Sequence, residues 1–254
     1  METLVVGAGA VGRWFADLVP DDVAFADVEE EAAEAAAEQA KTTKGRTARA
    51  VPLDTGESFG LVCVAVPLRA AETAVRDHAT RAQTAVIDLT GRMAAPLQAM
   101  AEVAPARERA SFHPLFAPSH APGRIAMSRA TPGPAIDRVT RWLTDAGNEL
   151  VAVDAAAHDE AMVTVQGRVH AAILAFGLAA DAVPPELRTP VHEGLTDLLA
   201  RVTDGEARVY SDIQAVFGGA ADIAEAAERI AAADDAGFAE LYAAAGEGLQ
   251  DRAE

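Results

Sequence analysis

The sequence has one cysteine, two lysines, few aromatic residues and no long uninterrupted apolar run. The single Cys63 excludes an internal disulfide and a cysteine-cluster zinc site. No apolar run approaches the roughly 18 residues that a membrane span needs, and no signal peptide is visible. We therefore expect a cytoplasmic protein without a membrane partner.

Basic residues are also scarce, with 21 Lys and Arg against 39 Asp and Glu and a formal net charge of -18. Nucleic acid and anionic membranes need a basic surface, so we expect neither as a partner. An acidic, lysine-poor surface on a chain that is half hydrophobic is typical of a salt-rich cytoplasm, where screening weakens self-repulsion. We predict salt adaptation, with a generic acidic protein as the alternative.

The chain changes character near residue 155. Up to residue 154, short β-rich runs alternate with helical stretches, which predicts an α/β domain with a doubly wound, mostly parallel sheet. Residues 155–254 contain long helical segments and predict an all-α second domain. The strands that we predict are Thr3–Val6, Val23–Ala26, Leu61–Val66, Ala85–Leu89, Ala110–Phe112, Ile125–Met127 and Leu150–Val153.

A glycine-rich motif follows the first predicted strand and opens the first predicted helix. It fits G-x-G-x-x-G, the dinucleotide-binding pattern of a Rossmann domain, in the context that such a domain requires. The first glycine permits a tight turn, the second lets the backbone approach a pyrophosphate, and the third lets helix and strand pack closely. The predicted cofactor-binding residues are Gly7, Ala8, Gly9, Ala10, Val11 and Gly12.

The predicted cofactor is NAD rather than NADP. Asp27 ends the second predicted strand, 20 residues after Gly7, where a carboxylate would accept hydrogen bonds from ribose hydroxyls. A 2′-phosphate would be repelled there, and no arginine immediately follows Asp27. From the residues alone, we expect a nicotinamide-dependent oxidoreductase.

Further collinear motifs resemble the prephenate dehydrogenases of tyrosine biosynthesis, which include arogenate dehydrogenases. They span roughly residues 3 to 213, and each is modest when taken alone. In order, they are Gly12-Arg13-Trp14-Phe15, Val66-Pro67-Leu68, Val86-Ile87-Asp88-Leu89-Thr90, Ser111-Phe112-His113-Pro114-Leu115-Phe116, His158-Asp159 with Gln166 and His170, and Ala200-Arg201 with Tyr210-Ser211-Asp212-Ile213.

The resemblance implies an NAD-dependent oxidative decarboxylation of prephenate to 4-hydroxyphenylpyruvate. His113 would accept the ring-hydroxyl proton, and Arg201 would grip a carboxylate with two hydrogen bonds. Gln166 and His170 would hydrogen-bond substrate oxygens, although a satisfied buried His170 is an equal alternative. Thr90 is a further catalytic candidate. Val66 and Pro67 fall at the cofactor-facing turn of the family.

The other histidines carry no catalytic assignment. His158 is predicted to cap a helix N-terminus or to serve as a domain hinge. The spacing of the remaining histidines does not indicate a metal site. Apolar positions along the C-terminal helices predict a homodimer.

Three positions depart from the family pattern. Gly91 stands where a serine is usual, Met93 where a lysine is usual, and Glu193 where an arginine is frequent. The loss of positive charge near a dianionic substrate leaves open arogenate, whose amino group would suit Glu193, or a non-catalytic NAD-binding regulatory protein. A hydroxy-acid or imine oxidoreductase is disfavoured because the chain has no lysine beyond Lys44.

Overall fold

The computed structural model describes residues 2–44 and 46–250 of the chain. It divides into two compact units, Met1–Ala161 and Met162–Glu254. The division falls later than the predicted boundary at 154/155. The reason is that His158 and Asp159, on helix α6 (Ala155–Met162), hydrogen-bond to residues of the first unit.

The first unit is built on one eight-stranded sheet with the order β3-β2-β1-β4-β5-β6-β7-β8. All neighbouring strands are parallel except β6 and β7, which are antiparallel. The strand order reverses direction at β1 and β4, and ligands bind outside the carboxyl ends of strands at such a point. The strands are β1 Thr3–Val6, β2 Val23–Ala26, β3 Ala48–Ala50, β4 Phe59–Val64, β5 Ala82–Asp88, β6 Glu108–Pro114, β7 Arg124–Thr131 and β8 Glu149–Ala152.

Helices cover both faces of this sheet, so its central strands are buried on both sides. In β1, Val5 belongs to one apolar cluster, while Leu4 and Val6 belong to a second cluster on the other face. This double burial explains why β1, β2 and β4 are almost continuously apolar rather than alternating. The helices of the first unit before α6 are α1 Ala10–Leu18, α2 Glu30–Lys44, α3 Ala71–His78, α4 Ala94–Val103 and α5 Pro134–Asp145.

The predicted α/β fold class is confirmed, with differences in detail. The short strand β3 was not predicted, because three residues of sequence Ala-Arg-Ala carry no periodic signal. The observed β4 and β5 begin two and three residues before their predicted starts. His113 lies inside β6 rather than in the loop after it, opposite Ala126 of β7.

The described part of the second unit is helical. A π-helical segment, Val163–Arg168, joins α6 to α7 (Val169–Ala179). The remaining helices are α8 Pro190–Thr203, α9 Ala207–Phe217, α10 Ala220–Ala232 and α11 Asp235–Gln250.

Glycines bring the π-helical segment close to the turn between α9 and α10. A Cβ atom on Gly167 would lie 2.5 Å from the Gly218 carbonyl oxygen, and one on Gly219 would lie 2.6 Å from the Arg168 nitrogen. Gly219 has φ +106°, which favours glycine. Gln214 Nε2 donates a hydrogen bond to the Gly167 carbonyl oxygen at 2.7 Å. This carbonyl of the π-helical segment therefore has a side-chain partner.

The helical stretch Ala155–Ala179 corrects the expectation that no segment of the chain is long and apolar enough to span a membrane. Its 25 residues include an 18-residue window of mean hydropathy 1.3, of which 22% is buried, so by length and composition it could cross a membrane. Alanine and valine supply this hydropathy without forming one uninterrupted apolar run. The same stretch contains His158 and Asp159, which belong to a polar network described below.

Candidate active site

The glycine loop has the geometry that a bound dinucleotide needs. Gly7 has φ +102°, and a Cβ atom there would lie 2.3 Å from the Ala65 carbonyl oxygen. A Cβ atom on Gly12 would lie 2.0 Å from the Gly7 carbonyl oxygen. Gly9 differs, because a Cβ atom there would meet nothing within 4 Å. Two glycines therefore serve close packing, and the third leaves open space at the start of α1.

The first turn of α1 is suited to a phosphate group. Gly9 is its N-cap and provides no side-chain cap, and the turn contains no acidic residue. The backbone N–H groups at Ala10 and Val11 therefore lie at a helix start whose dipole attracts anions. These residues fit a pyrophosphate on the glycine loop.

Asp27 lies at the end of β2, beside the glycine loop. Its Oδ2 accepts a hydrogen bond from the Ala8 nitrogen at 2.6 Å, and its Oδ1 accepts one from the Glu29 nitrogen at 3.0 Å. Each oxygen keeps capacity for a further donor, such as a ribose hydroxyl. The residues that follow are acidic, with Glu30 and Glu31 in the first turn of α2.

Val66 and Pro67 form the exit of β4 next to the glycine loop. A Cβ atom on Gly7 would lie 3.2 Å from Val66 Cγ1, and the chain then turns into a short 3-10 helix at Leu68–Ala70. Leu68 Cδ1 would lie 3.6 Å from a Cβ atom on Gly91, in the loop after β5. The β4 exit thus lies between the glycine loop and the loop that contains Thr90.

Thr90 closes the loop after β5. Its hydroxyl lies 2.8 Å from Asp88 Oδ1 and 3.1 Å from the Arg92 carbonyl oxygen, and the residue is 4% exposed. Its backbone nitrogen also donates to Asp88 Oδ1 at 3.1 Å. The geometry of Thr90 is that of a turn-forming residue, and its catalytic role stays a prediction.

Asp88 is completely buried at the carboxyl end of β5. Burial raises the pKa of this carboxyl to about 7, against the opposing effect of hydrogen bonds from Thr90 and Ser111. The neighbouring Asp159 raises it further. Asp88 is therefore partly protonated near neutral pH.

His113 begins a chain of hydrogen bonds that ends at a carboxylate. His113 Nδ1 lies 3.0 Å from His158 Nε2, and His158 Nδ1 lies 3.0 Å from Asp159 Oδ1. Both imidazoles are buried, with 6% and 4% of their surfaces exposed. The two rings meet edge to face, with centroids 5.2 Å apart.

Asp159 is held by the start of α4. Its Oδ1 accepts from the Met93 nitrogen at 2.9 Å and its Oδ2 from the Ala94 nitrogen at 3.0 Å, while Arg92 Nε lies 3.7 Å from Oδ2. Burial alone would raise the pKa of Asp159, but the His158 and backbone hydrogen bonds bring it below its ordinary value. This carboxylate is therefore ionised and can only accept hydrogen bonds.

This arrangement fixes which nitrogen of His113 can act as a base. An acceptor at Asp159 requires the proton of His158 to be on Nδ1, which leaves His158 Nε2 as an acceptor. His113 must then donate through Nδ1, and its Nε2 carries the lone pair. Burial lowers the pKa of His113 to about 3, assisted by His158 and opposed by Asp159, so the ring is neutral at physiological pH.

His158 and Asp159 join the candidate site through these contacts, although the sequence analysis gave neither of them a catalytic role. The predicted capping role belongs instead to Asp154, whose Oδ1 accepts from the Ala156 and Ala157 nitrogens at 2.9 and 3.0 Å. The adjacent pair His158-Asp159 was the only feature of the sequence that could have indicated this role. The contacts of the two side chains with β6 and α4 could not be predicted from local spacing.

The other predicted substrate residues lie in the second unit. Gln166 is on the π-helical segment and His170 follows on α7, four residues later and about one helical turn away. The His170 ring packs edge-on against Tyr210, with centroids 4.9 Å apart, and burial lowers the pKa of His170. Arg201 lies on α8 and is exposed.

Within residues 2–44 and 46–250, no group of three or more His, Cys, Asp or Glu side chains is arranged to hold a metal ion.

The chain is similar to a protein of known activity in sequence and to several solved structures in fold. The 4-amino-4-deoxyprephenate dehydrogenase of Streptomyces pristinaespiralis is 32% identical over 268 residues, which cover 94% of this chain and 88% of that protein. No protein-family model matches the chain.

Several solved structures, two dehydrogenases among them, share the fold over nearly the whole chain. Prephenate dehydrogenase of Aquifex aeolicus, in complex with hydroxyphenyl propionate and NAD+, has a TM-score of 0.70 at 16% identity and covers 99% of this chain and 97% of its own. Arogenate dehydrogenase of Synechocystis has a TM-score of 0.62 at 15% identity and covers 99% of both chains.

Proposed function

Because this chain belongs to the prephenate and arogenate dehydrogenase family and is an NAD-dependent oxidoreductase, we propose that it oxidatively decarboxylates prephenate to 4-hydroxyphenylpyruvate. Prephenate carries a hydroxyl at ring carbon C4 and a carboxylate at C1. Hydride leaves C4, the electron pair of the C1–carboxylate bond enters the ring, and carbon dioxide departs as the ring becomes aromatic. Bound NAD supplies the hydride acceptor.

The observation that carries this proposal is the chain from His113 through His158 to Asp159. Burial keeps His113 neutral, and the chain orients the ring so that Nε2 is the acceptor for the C4 hydroxyl. As hydride leaves, the hydroxyl becomes more acidic and its hydrogen bond to Nε2 strengthens, which stabilises the developing charge; the proton remains on the oxygen of the phenol product. Aromatisation supplies the driving force, so an acceptor with a pKa of about 3 is sufficient.

The remaining roles extend this proposal. The glycine loop and Asp27 hold NAD in preference to NADP, which the packing of Gly7 and Gly12 and the acceptor oxygens of Asp27 support. Arg201 grips a substrate carboxylate, while Gln166 and His170 bind substrate oxygens. We also retain the predicted homodimer and cytoplasmic location as parts of the proposal.

The test is NADH formation from NAD and prephenate by the purified protein in molar KCl. A His113→Asn variant should lose about 100-fold or more in kcat, because it lacks the general base. His120→Asn, which replaces an exposed histidine, is the matched control and should keep wild-type kcat. NAD binding, measured by calorimetry, should be unchanged in both.

Two results would contradict the proposal. Turnover of arogenate but not prephenate would assign the arogenate reaction instead. Binding of NAD without turnover of either compound would favour a non-catalytic, NAD-binding regulatory protein.

A further inference from the structure

The hydroxyl of Thr90 has one proton and two acceptors. Its Oγ1 lies 2.8 Å from Asp88 Oδ1 and 3.1 Å from the Arg92 carbonyl oxygen. An ionised Asp88 can only accept, so the proton then lies between Thr90 and Asp88, and the Arg92 carbonyl receives none from this hydroxyl. A protonated Asp88 can instead donate from Oδ1 to Thr90, which then donates to the Arg92 carbonyl. The protonation of Asp88 therefore determines which way the Thr90 hydroxyl points.

The Arg92 carbonyl belongs to the peptide group that holds Asp159. The nitrogen of this peptide is that of Met93, which donates to Asp159 Oδ1 at 2.9 Å, and the next nitrogen, of Ala94, donates to Oδ2 at 3.0 Å. A peptide group that accepts a hydrogen bond at its oxygen becomes a stronger donor at its nitrogen, because the two hydrogen bonds polarise each other. The hydroxyl of Thr90 therefore acts on Asp159 through this peptide.

We infer that Asp88 is a positioning residue that works in its protonated form, donating to Thr90 and thereby fixing the peptide group that holds Asp159. This inference rests on the proposed function, because Asp159 orients the proposed base, His113, through His158. When Asp88 loses its proton, the Thr90 hydroxyl turns from the peptide to the carboxylate. Asp159 is then held less firmly.

The surroundings of Asp88 favour the protonated form. The carboxyl is fully buried at the end of β5, opposite Ser111 of β6, whose hydroxyl is a hydrogen-bond partner. Within the part of the chain that the structure describes, the titratable groups that face it are the buried Cys63 thiol on β4 and the Asp159 carboxyl on α6. Neither is a cation that would stabilise an ionised Asp88, and burial raises the pKa of Asp88 to about 7. The protonated fraction therefore falls as the pH rises through neutrality.

The experiment measures kcat for prephenate with saturating NAD between pH 6 and pH 9 in the wild-type protein and in Asp88→Asn. In the wild type, kcat should fall by about tenfold across this range, because deprotonation breaks one buried chain of hydrogen bonds. An asparagine oxygen can accept from the Thr90 backbone nitrogen, but unlike a hydroxyl it cannot also donate to Oγ1. Asp88→Asn should therefore have the low kcat at both ends of the range, with the KM for prephenate and the Kd for NAD unchanged.

Matched variants separate this effect from a loss of structure. Thr90→Val removes the hydroxyl and should reproduce Asp88→Asn, whereas Thr90→Ser keeps the hydroxyl and should retain the pH dependence. The double variant of Asp88→Asn and Thr90→Val should be no slower than either single one, since both changes break the same chain. Asp77→Asn removes an exposed carboxylate of the first unit and should keep the wild-type profile. Thermal unfolding shows which variants fold, and Thr90→Val carries the test if Asp88→Asn does not.

Proton NMR of the protein labelled with 15N-histidine follows the same chain without turnover. The Nδ1 proton of His158, in its hydrogen bond to Asp159, should change its chemical shift with the same pH midpoint as kcat in the wild type. The change should be absent in Asp88→Asn and in Thr90→Val, and it should be present in Asp77→Asn.

The two failures are distinguishable. If prephenate is not oxidised at any pH, the proposed function fails, and the His158 resonance alone decides whether Asp88 acts on Asp159. If prephenate is oxidised and Asp88→Asn keeps the wild-type fall in kcat, the inference is wrong and the proposed function stands. A His158 resonance that follows pH alike in the wild type and in Asp88→Asn would also overturn the inference.

Discussion

At the scale of single residues, Asp159 sets the tautomer of His113, the proposed base, through His158. It fixes the His158 proton on Nδ1 and thereby directs the lone pair of His113 to Nε2. An asparagine could still accept from His158, but it could not replace the charge or accept through both oxygens from Met93 and Ala94.

We therefore expect Asp159→Asn to lower kcat by about 10- to 100-fold while the Kd for NAD stays unchanged. Steady-state kinetics and an NAD titration measure the two effects. Glu160→Gln removes the same charge from the next, exposed position and should leave kcat as in the wild type. Equal losses in both variants would show that the effect is only one of net charge.

Asp88 couples protonation to stability. Its carboxyl keeps a proton in the folded chain up to a pH of about 7, whereas an unfolded aspartate loses it near the ordinary pKa of 3.8. The folded state binds more protons between these values, so stability falls as the pH rises through this window and stays reduced above it.

Asp88→Asn removes this loss of stability at higher pH while retaining an oxygen that can accept a hydrogen bond from Thr90. The change in Tm relative to wild type should therefore be more positive at pH 8 than at pH 5. Thermal unfolding at the two pH values measures the difference. An equal change at both would mean that Asp88 is ionised to the same extent in the folded and unfolded chains.

At the scale of elements, different glycines of the glycine loop serve packing and cofactor binding. Gly12 is confined by backbone, while Gly9 faces open space. Gly12→Ala should lower Tm, because its Cβ would collide with the Gly7 carbonyl oxygen. Gly9→Ala should leave Tm unchanged but weaken NAD binding by about tenfold or more, because it fills the space left for the pyrophosphate. If Gly9→Ala binds NAD as tightly as the wild type, the cofactor does not approach there.

The difference between local and long-range contacts explains which elements the sequence could predict. Strands β1 and β2 were predicted with their observed bounds, because apolar runs and a glycine motif are local signals. The sequence could also predict the loop that contains Thr90 and the position of His113 near the end of a strand. The His113–His158 contact joins residues 45 apart and the Met93–Asp159 contact joins residues 66 apart, so neither leaves a local pattern.

At the scale of the whole molecule, the helical unit exposes large apolar side chains. Leu178 on α7 is 90% exposed, and Val191 and Tyr242 exceed 75%. Exposed apolar surface of this kind is typical of subunit interfaces, and the homodimer stays a prediction. The predicted salt adaptation concerns surface charge and stays a prediction.

We expect light scattering to give the mass of a dimer for the wild type and of a monomer for Leu178→Glu, because a charge in the interface would be buried without a partner. Val28→Glu introduces the same charge at an exposed apolar residue of the first unit, which is 81% exposed, and should leave the dimer intact. A dimeric Leu178→Glu protein would place the interface elsewhere.

The attachment of α6 to the first unit has a consequence for dividing or recombining this chain. All eight strands end by Ala152, so a fragment of residues 1–154 would keep the entire sheet and the glycine loop. It would nevertheless lack His158 and Asp159, and His113 would lose the partners that select its tautomer. A chimaera with a relative should therefore exchange segments after Ala161, since a junction before α6 would pair His113 of one parent with the His158 and Asp159 positions of the other.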